Sequence, residues 1–309
     1  MTTEEDIREE ERHRHFDTRL WRRILVHARP YRRQMIGLGV SGQLVAGVDV
    51  LLPRVTGLTI DTAVAEGAGP TLLRHALEYV GLVAFMSVMI WWFIVLAGQL
   101  ATGFAYDLRE SGFRKLQELS FSFYDRRPVG WLMARLTSDC ERVSSILPWF
   151  TLDIVWGVAL IAGVILSMFL LNAQLALYAV TILPPLAVVS VFFQRKLLKS
   201  QREVRKTNSL ITAGFNEAIM GVRTSKALVR EEENLSDFQN LSTAMYGHSV
   251  RNSLQAAVYL PIIITLGSAA VGLSLWQGGV RLGDGMTYGM LVTFMQYAGF
   301  LYMPIQELA

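Results

Sequence analysis

The sequence has 309 residues, of which 52% are hydrophobic and only 18% are charged, and its mean hydropathy is +0.34. Soluble domains contain about 25% charged residues, so this composition excludes an ordinary soluble protein and indicates a membrane protein. The 29 lysines and arginines nearly balance the 26 aspartates and glutamates, and a net charge of +3 does not favour a nucleic-acid-binding protein. The single cysteine, Cys140, excludes a disulfide within the chain.

The N-terminal region divides into two parts. Residues 1–15 are charged throughout and lack the apolar core of a secretory signal peptide, so we predict a solvated cytoplasmic tail. Phe16, Leu20 and Ile24 then recur at helical spacing, and arginines occupy the other side of the same helix. This pattern predicts an amphipathic elbow helix that lies in the membrane interface, with its arginines toward anionic headgroups.

Six segments reach the length of about 20 apolar residues that a membrane-spanning helix requires. They cover approximately residues 35–64, 79–104, 148–171, 175–193, 254–276, and 286 to the chain end. Buried helices of a large soluble protein would show polar faces, which these segments largely lack. The sequence therefore predicts an all-α membrane protein with six long transmembrane helices.

The positive charges predict the orientation in the membrane. Only Arg54, Arg74 and Arg281 lie within the segments and loops of one side. All other lysines and arginines lie in the N-terminal region or in the connections between segments two and three and between segments four and five. The positive-inside rule places these regions, including the N-terminus, in the cytoplasm. We therefore predict a multi-pass protein of the cell membrane.

The two long inner connections have the pattern of helices. Residues 104–120 carry charges at almost every helical turn and keep an apolar face, which continues helix two about 24 Å beyond the membrane. Residues 129–147, 193–215 and 218–252 have the same character. The sequence therefore predicts two helical hairpins that project into the cytoplasm, each of which reverses at its tip.

The first tip combines aromatic and charged residues. Phe121, Phe123 and Tyr124 form an apolar cluster, and Pro128 with Gly130 supplies a turn. A groove in a partner protein that buried this cluster would gain roughly 1.5 to 3 kcal/mol for each large side chain. The composition alone leaves open the alternative that the tip packs only on its own neighbours.

Two motifs decide between these alternatives, because both resemble the transmembrane domain of type IV ATP-binding cassette (ABC) exporters, a family that includes multidrug and lipid exporters. The first intracellular loop of that family has two aromatic residues and an aspartate, then Gly-x-Leu-x-x-Arg-Leu-x-x-Asp. Here the corresponding residues are Phe123, Tyr124, Asp125, Gly130, Leu132, Arg135, Leu136 and Asp139. The stretch from Asn216 to Thr224, followed by Lys226, resembles the family's segment before helix five. The resemblance extends over residues 16–309, which we interpret as one transmembrane domain.

The resemblance implies a dimer of two six-helix halves that exchange helices four and five. Its cytoplasmic tips would be coupling helices that sit in grooves of nucleotide-binding domains. The first coupling helix would centre on Phe123, Tyr124 and Asp125, beside Arg126. The second would meet the opposite half's ATPase domain and would centre on Thr212, Phe215, Asn216 and Glu217.

The nucleotide-binding domain that family members usually carry is not recognisable here. The chain stops at Ala309 within a predicted helix, and no GxxxxGK[ST] phosphate loop occurs. The five histidines are scattered without metal-ligand spacing. We therefore predict that this chain alone is not an enzyme and has no metal or cofactor of its own. ATP and Mg²⁺ would bind a domain that was truncated or belongs to a separate chain, and the complete protein would be an ABC-type ATPase.

The resemblance predicts an exporter that moves hydrophobic or amphipathic substrates, such as drugs, lipids or peptides, by alternating access. Its partners would be membrane lipid, a second transmembrane half and nucleotide-binding domains, and the sequence leaves homodimer and heterodimer open. One alternative is a channel or regulatory membrane module built on the same scaffold. Another, an unrelated six-helix membrane protein, is weakened by the two tip motifs.

Charged residues inside the apolar segments are candidates for the substrate cavity. Asp49, Arg54 and Asp153 lie in segments one and three, and an ionisable group at the bilayer centre costs roughly 2.5 to 3.5 kcal/mol. We predict that Asp49 lines the cavity and favours cationic substrates. Trp91 and Trp92 would add a stacking surface if they face inward. The alternatives are neutralisation of the charges by a neighbouring helix, and an aromatic belt or plain packing for the tryptophans.

Overall fold

The structure is a computed structural model that describes residues 18–125, 128–283 and 285–304, and this part of the chain is helical throughout apart from turns. The elements in chain order are α1 (Thr18–His27), a 3-10 turn (Arg29–Tyr31), α2 (Arg32–Glu66), α3 (Pro70–Gln117), α4 (Phe121–Tyr124), α5 (Val129–Ala134), a π turn (Arg135–Asp139), α6 (Cys140–Leu171), α7 (Ala173–Val180), α8 (Leu183–Met220), α9 (Val222–Ala227), α10 (Glu231–Val280) and α11 (Tyr288–Phe300).

Five helical stretches of the described residues are long and apolar enough to cross a membrane, and they contain the first five segments predicted from the sequence. They are Arg29–Glu66, Pro70–Gln117, Val129–Leu171, Ala173–Met220 and Glu231–Val280. The chain is therefore a multi-pass membrane domain. The 48 residues of α3 and the 50 of α10 correspond to about 70 Å of helix each, more than twice the bilayer's hydrocarbon thickness of about 30 Å.

The predicted sixth span stays a prediction. The sequence predicts a helix from Met286 to the chain end, and in the described residues this segment contains α11, which has 13 residues. It starts late because Gly283 and Gly285 adopt positive φ angles of 95° and 81°, which form a turn, and because the Thr287 hydroxyl accepts a hydrogen bond from the backbone N–H of Met290 and caps the helix. Residues 305–309 lie outside the described part of the chain.

The contacts divide the described chain into two compact units, of which one comprises residues 21–183 and 267–304. Within it, α2 packs against α3, α6 and α11, and α3 packs against α6. One buried cluster surrounds Phe294 and Tyr297 of α11 and Met168 of α6. A second cluster surrounds Phe104 of α3 and Leu38 of α2. Helices surrounded by lipid gain little from the hydrophobic effect when they associate. Close packing contacts such as these therefore hold the unit together.

A seam of close backbone contacts and hydrogen bonds joins α2 to α11. Gly57 and Gly289 face each other, and a Cβ atom on Gly57 would lie 2.6 Å from the Gly289 carbonyl oxygen. Asp61 accepts hydrogen bonds from the Gly289 backbone N–H at 2.7 Å and from the Thr287 hydroxyl at 2.6 Å. The Thr293 hydroxyl donates to the Pro53 carbonyl at 3.0 Å or to that of Gly289 at 2.8 Å. Small residues and polar side chains are typical of membrane helix interfaces.

The segment after α1 is fixed on α3 by one aromatic side chain. The Tyr31 hydroxyl donates to an Asp107 carboxylate oxygen at 2.8 Å, and its ring meets Phe104 edge-on at 6.4 Å. The Tyr31 ring also lies against Gly103, where a Cβ atom would come within 2.6 Å of it. The predicted helix over residues 18–27 is therefore present and is followed by an anchored turn, whereas its location in the membrane interface stays a prediction. The predicted tail, residues 1–15, lies outside the described residues.

The other unit, residues 184–266, is an antiparallel hairpin made from α8 and α10. The hydroxyls of Ser190 and Tyr259 are 3.0 Å apart, and the Tyr259 ring lies 5.5 Å from that of Phe193. Nearer the tip, the rings of Phe215 and Phe238 are 4.7 Å apart. Aromatic pairs at these separations stabilise the hairpin beyond simple burial of area.

Candidate functional site

At the first tip, one aromatic side chain is exposed and another forms a hydrogen bond within its own hairpin. Phe121 is 90% exposed. The Tyr124 hydroxyl donates to the Leu116 carbonyl at 2.6 Å, and the Tyr124 ring meets Phe123 at a right angle, 5.9 Å away. Tyr124 therefore turns back onto its own hairpin, and Phe121 is the side chain best placed to enter a groove. Asp125 is exposed beside them, and Arg126 lies outside the described residues.

The arm that follows the first tip is braced at the π turn, and π turns frequently occur at functional sites. Arg135 pairs with Asp139 at 2.7 Å across this turn, and its guanidinium lies 4.9 Å from the centre of the Trp131 ring. Leu136 packs against Gly112 of α3, where a Cβ atom would come within 2.7 Å of it. Arg135 and Asp139 of the motif therefore pair within the arm, and Leu136, the second leucine of the motif, packs the arm against α3.

The second tip lies further along the chain than the sequence predicts. The chain reverses over residues 221–230, which include α9, whereas Thr212, Phe215, Asn216 and Glu217 all lie on α8 before the reversal. Phe215 packs inside the hairpin on Phe238. The segment from 218 onward, predicted to belong to helix five, instead ends α8 and forms the turn. Whether the four predicted residues meet a partner stays a prediction; Met220, which is 87% exposed, and Val229 protrude at the reversal itself.

Val229 has an unusual backbone conformation for its residue type. Its φ of 51° lies in the left-handed region, which is unfavourable for a β-branched residue, and its side chain is 82% exposed. The backbone N–H of Arg230 donates to the Ser225 carbonyl at 3.0 Å, and that of Val229 donates to the Lys226 carbonyl at 3.4 Å. These two bonds form the helix-ending motif in which glycine usually occupies the position of Val229. The second tip therefore carries local backbone strain.

Replacement of Val229 by glycine is expected to raise the stability of the protein by about 1 kcal/mol, because glycine adopts this φ without a steric penalty. Thermal unfolding of the purified chain in detergent, followed by circular dichroism, measures the effect. Val250→Gly in the middle of α10 is the matched control, and it is expected to destabilise by about 1 kcal/mol. An equal loss of stability in both variants would contradict the strain at Val229.

A cavity of about 430 Å³ lies in the unit formed by residues 21–183 and 267–304. Its walls come from α2, α3 and α6 and from the C-terminal end of α11. Eleven of the fifteen lining residues that the structure describes are apolar, including four aromatic residues and two methionines. Two carboxylates face the cavity, and none of these fifteen residues is a lysine or arginine. The lining residues are Ser41, Gly42, Val45, Asp49, Met86, Ile90, Phe93, Ile94, Trp149, Leu152, Asp153, Trp156, Leu160, Phe300 and Met303.

Asp49 and Asp153 both line this cavity. Asp49 Oδ2 accepts a hydrogen bond of 2.9 Å from the indole Nε1–H of Trp156, and its side chain is half-buried. Asp153 is exposed within the lining. The hydrogen bond fixes Asp49 beside an aromatic ring, and this combination suits a positively charged group with an apolar body.

The other three candidate residues do not belong to the lining of this cavity, and whether they line a substrate cavity between two halves stays a prediction. Arg54 is exposed on α2, away from the cavity side. Trp91 is 65% exposed, and Trp92 is also exposed. Met86, Ile90, Phe93 and Ile94 follow the helical repeat of three and four residues along the cavity face of α3, so Trp91 and Trp92 fall outside that face. The tryptophans that line this cavity are Trp149 and Trp156 of α6, which the sequence analysis did not single out.

The family profile of the ABC transporter transmembrane region matches residues 35–305, which is most of the chain. This chain belongs to that family. The match covers α2 to α11 and includes both tips and the cavity, so the resemblance to type IV ABC exporters seen in the motifs is confirmed. In the described part of the transmembrane domain, no group of three or more His, Cys, Asp and Glu residues is arranged to hold a metal ion.

Curated relatives of this ABC transporter transmembrane domain are similar over most of its length. It is 25% identical over 295 residues to the uncharacterized ABC transporter ATP-binding protein YknV of Bacillus subtilis, covering 94% of this chain and 48% of that protein. It is 26% identical over 269 residues to a multidrug efflux ATP-binding/permease protein of Mycobacterium tuberculosis, covering 84% of this chain and 22% of that protein. It is 26% identical over 205 residues to the probable multidrug resistance ABC transporter ATP-binding/permease protein YheH of Bacillus subtilis, covering 64% of this chain and 30% of that protein. The chain therefore spans half the length or less of these relatives.

Proposed function

We propose that this chain is the transmembrane half of an ATP-driven exporter that moves cationic amphipathic substrates by alternating access. The observation that carries the substrate class is the cavity, which combines two carboxylates with aromatic and methionine side chains and has no lysine or arginine among its described lining residues. The names of two relatives, a multidrug efflux protein and a probable multidrug resistance transporter, support export as the direction of transport.

The complete transporter in this proposal is a dimer of two halves, each with six transmembrane helices of which the fourth and fifth are exchanged. An amphipathic elbow helix precedes them, and the N-terminus and both tips face the cytoplasm. Nucleotide-binding domains that carry ATP and Mg²⁺ receive the tips as coupling helices. The long helices α3, α8 and α10 support this role, because a continuous helix transmits a displacement over tens of ångströms without bending.

The two carboxylates determine the preference for a cation. A positive group beside Asp49 or Asp153 gains attraction that a neutral analogue of the same shape does not, and the ring of Trp156 adds a cation–π contact. Met86 and Met303 offer flexible apolar surface for varied substrate bodies. The same cavity therefore accepts different amphipathic molecules as long as they carry a positive charge.

Asp49→Asn is expected to weaken binding of the tetraphenylphosphonium cation about tenfold, because one unit charge near the ligand is worth roughly 1 to 2 kcal/mol in a partly hydrated site. Quenching of tryptophan fluorescence in the purified chain measures the dissociation constant directly. Binding of neutral triphenylphosphine oxide is expected to change less than twofold, since the substitution preserves the volume of the side chain.

Glu66→Gln provides the matched control, because it removes one exposed negative charge from the end of the same helix, α2, at a residue that does not line the cavity. It is expected to leave both ligands unaffected. Equal weakening of the cation and the neutral ligand by Asp49→Asn would assign Asp49 to structure rather than to substrate selection.

Transport by the complete protein separates an exporter from a channel. ATP-dependent accumulation of tetraphenylphosphonium in inside-out vesicles, against its concentration gradient, is the expected result. A steady conductance across a planar bilayer without accumulation would favour a channel on the same scaffold.

A further inference from the structure

One face of α8 is apolar along two turns and ends in two cations. An open groove of about 700 Å³ lies along this face, and all its lining residues belong to α8: Ala187, Val188, Val191, Phe192, Arg195 and Lys196. Each of the six side chains is exposed. The opposite side of α8 packs within the hairpin, where Ser190 meets Tyr259 and Leu186 is buried. The groove is therefore a surface that the hairpin itself leaves uncovered.

The two cations at the end of the groove have no acidic counterpart nearby. The sequence contains no aspartate or glutamate from residue 154 to residue 202. Neither Arg195 nor Lys196 forms an ion pair with any residue that the structure describes. The Lys196 ammonium instead lies 5.9 Å from the centre of the Phe192 ring, which holds it at the edge of the apolar surface.

The position of these cations matches the edge of a bilayer. The apolar stretch from Leu175 to Phe193 has 19 residues, close to the number of about 20 that a membrane-spanning segment requires. Arg195 and Lys196 follow directly, at the level where phospholipid phosphates lie. An acyl chain against Val188 and Val191 would thus have its phosphate beside both cations.

We propose that this face of α8 is a binding site for one anionic phospholipid, which is distinct from the substrate cavity. The acyl chain lies along Ala187, Val188 and Val191, and the phosphodiester with its anionic headgroup pairs with Arg195 and Lys196. Charge complementarity determines the class of ligand, because a zwitterionic lipid would bring its own cation to the same two positive groups. The same face of α8 from a second copy is a poorer occupant, because residues 154–202 contain no carboxylate to pair with the two cations.

Native mass spectrometry of the purified chain, titrated with phosphatidylglycerol or with phosphatidylcholine of identical acyl chains, tests the site. Each cation near an anionic lipid contributes roughly a fivefold factor in affinity, so Arg195→Gln with Lys196→Gln is expected to weaken phosphatidylglycerol binding about 30-fold. Phosphatidylcholine binding is expected to change less than twofold. Inorganic phosphate at millimolar concentration is not expected to displace the lipid, since it lacks the acyl chain.

The chain contains a matched control in the same residue order. Arg205→Gln with Lys206→Gln removes an identical pair of charges from the same helix, about 15 Å further from the apolar face. This variant is expected to retain phosphatidylglycerol. Equal loss of phosphatidylglycerol in both double variants would overturn the site in favour of general charge attraction.

Val188→Trp keeps both cations and fills the groove, so it is expected to weaken binding of both lipids. This variant tests the site if the Arg195 and Lys196 double variant does not fold. Unchanged lipid binding by Val188→Trp, or displacement of the lipid by inorganic phosphate, would overturn the proposal. A change of oligomeric state in the Arg195 and Lys196 variant, with lipid binding unaffected, would assign the face to a second copy and overturn it as well.

Discussion

Gly57→Ala is expected to destabilise the protein by about 2 to 4 kcal/mol, although alanine is the better helix former. The added methyl group would meet the Gly289 carbonyl oxygen at 2.6 Å, and this oxygen belongs to a backbone that cannot rotate away. The helices α2 and α11 must separate, and the hydrogen bond that the Thr293 hydroxyl donates to the Pro53 carbonyl across the seam is then lost. Unfolding of the purified chain with increasing sodium dodecyl sulfate, followed by circular dichroism, measures the loss.

Gly47→Ala on the same helix gives the control for Gly57→Ala. A Cβ atom on Gly47 meets no atom within 4 Å, so this substitution is expected to be neutral or to stabilise by up to about 1 kcal/mol. The two variants share chemistry and helix and differ only in what faces the methyl group. Identical unfolding of the two variants would contradict the close contact between Gly57 and Gly289.

Phe121→Ala is expected to reduce transport by the complete transporter at least tenfold while the membrane fold stays intact. In our proposal, this ring enters a groove of a nucleotide-binding domain, and loss of a buried phenylalanine from an interface costs roughly 2 to 4 kcal/mol. Substrate-stimulated ATPase activity and uptake into proteoliposomes, measured on the same preparation, report coupling. ATP hydrolysis that no longer responds to substrate is the expected signature.

The control for Phe121→Ala is Phe113→Ala, a second exposed phenylalanine eight residues earlier, on α3. It is expected to transport normally, because it lies on the arm formed by α3 and not on the tip helix α4. Normal coupling in Phe121→Ala would show that the first tip engages its partner through other side chains.

The sequence was sufficient to predict the long helices because their signals are local. Apolar length predicts the first five spans, and charges at helical spacing predict that α3 and α8 continue beyond the apolar segments. The turn at Asn172 also follows from local chemistry, because its side chain accepts hydrogen bonds from the backbone N–H groups of Gln174 and Leu175 at 3.1 Å. The aromatic cluster predicted at the first tip, Phe121, Phe123 and Tyr124, lies on the short helix α4.

The second tip shows where local signals fail. Gly221 follows the end of α8 at Met220, but the reversal closes at a valine in a conformation that usually indicates glycine. Residue types alone therefore do not predict where this turn ends. The π turn over Arg135–Asp139 is likewise not visible in the sequence, although the spacing of four residues allows the ion pair between Arg135 and Asp139.

The sequence by itself was sufficient to identify the family, the helical membrane class and the acidic residues inside apolar segments that are candidates for function. Each of these depends only on residue type and on spacing along one helix. Only the tertiary structure decided which of those residues share a cavity. Asp49 meets Trp156 across 107 positions of sequence, whereas Trp91 and Trp92 face outward, and Gly57 contacts Gly289. The rotation of each helix about its axis depends on how neighbouring helices pack, and a helix that is apolar on every side carries no record of that rotation in its own sequence.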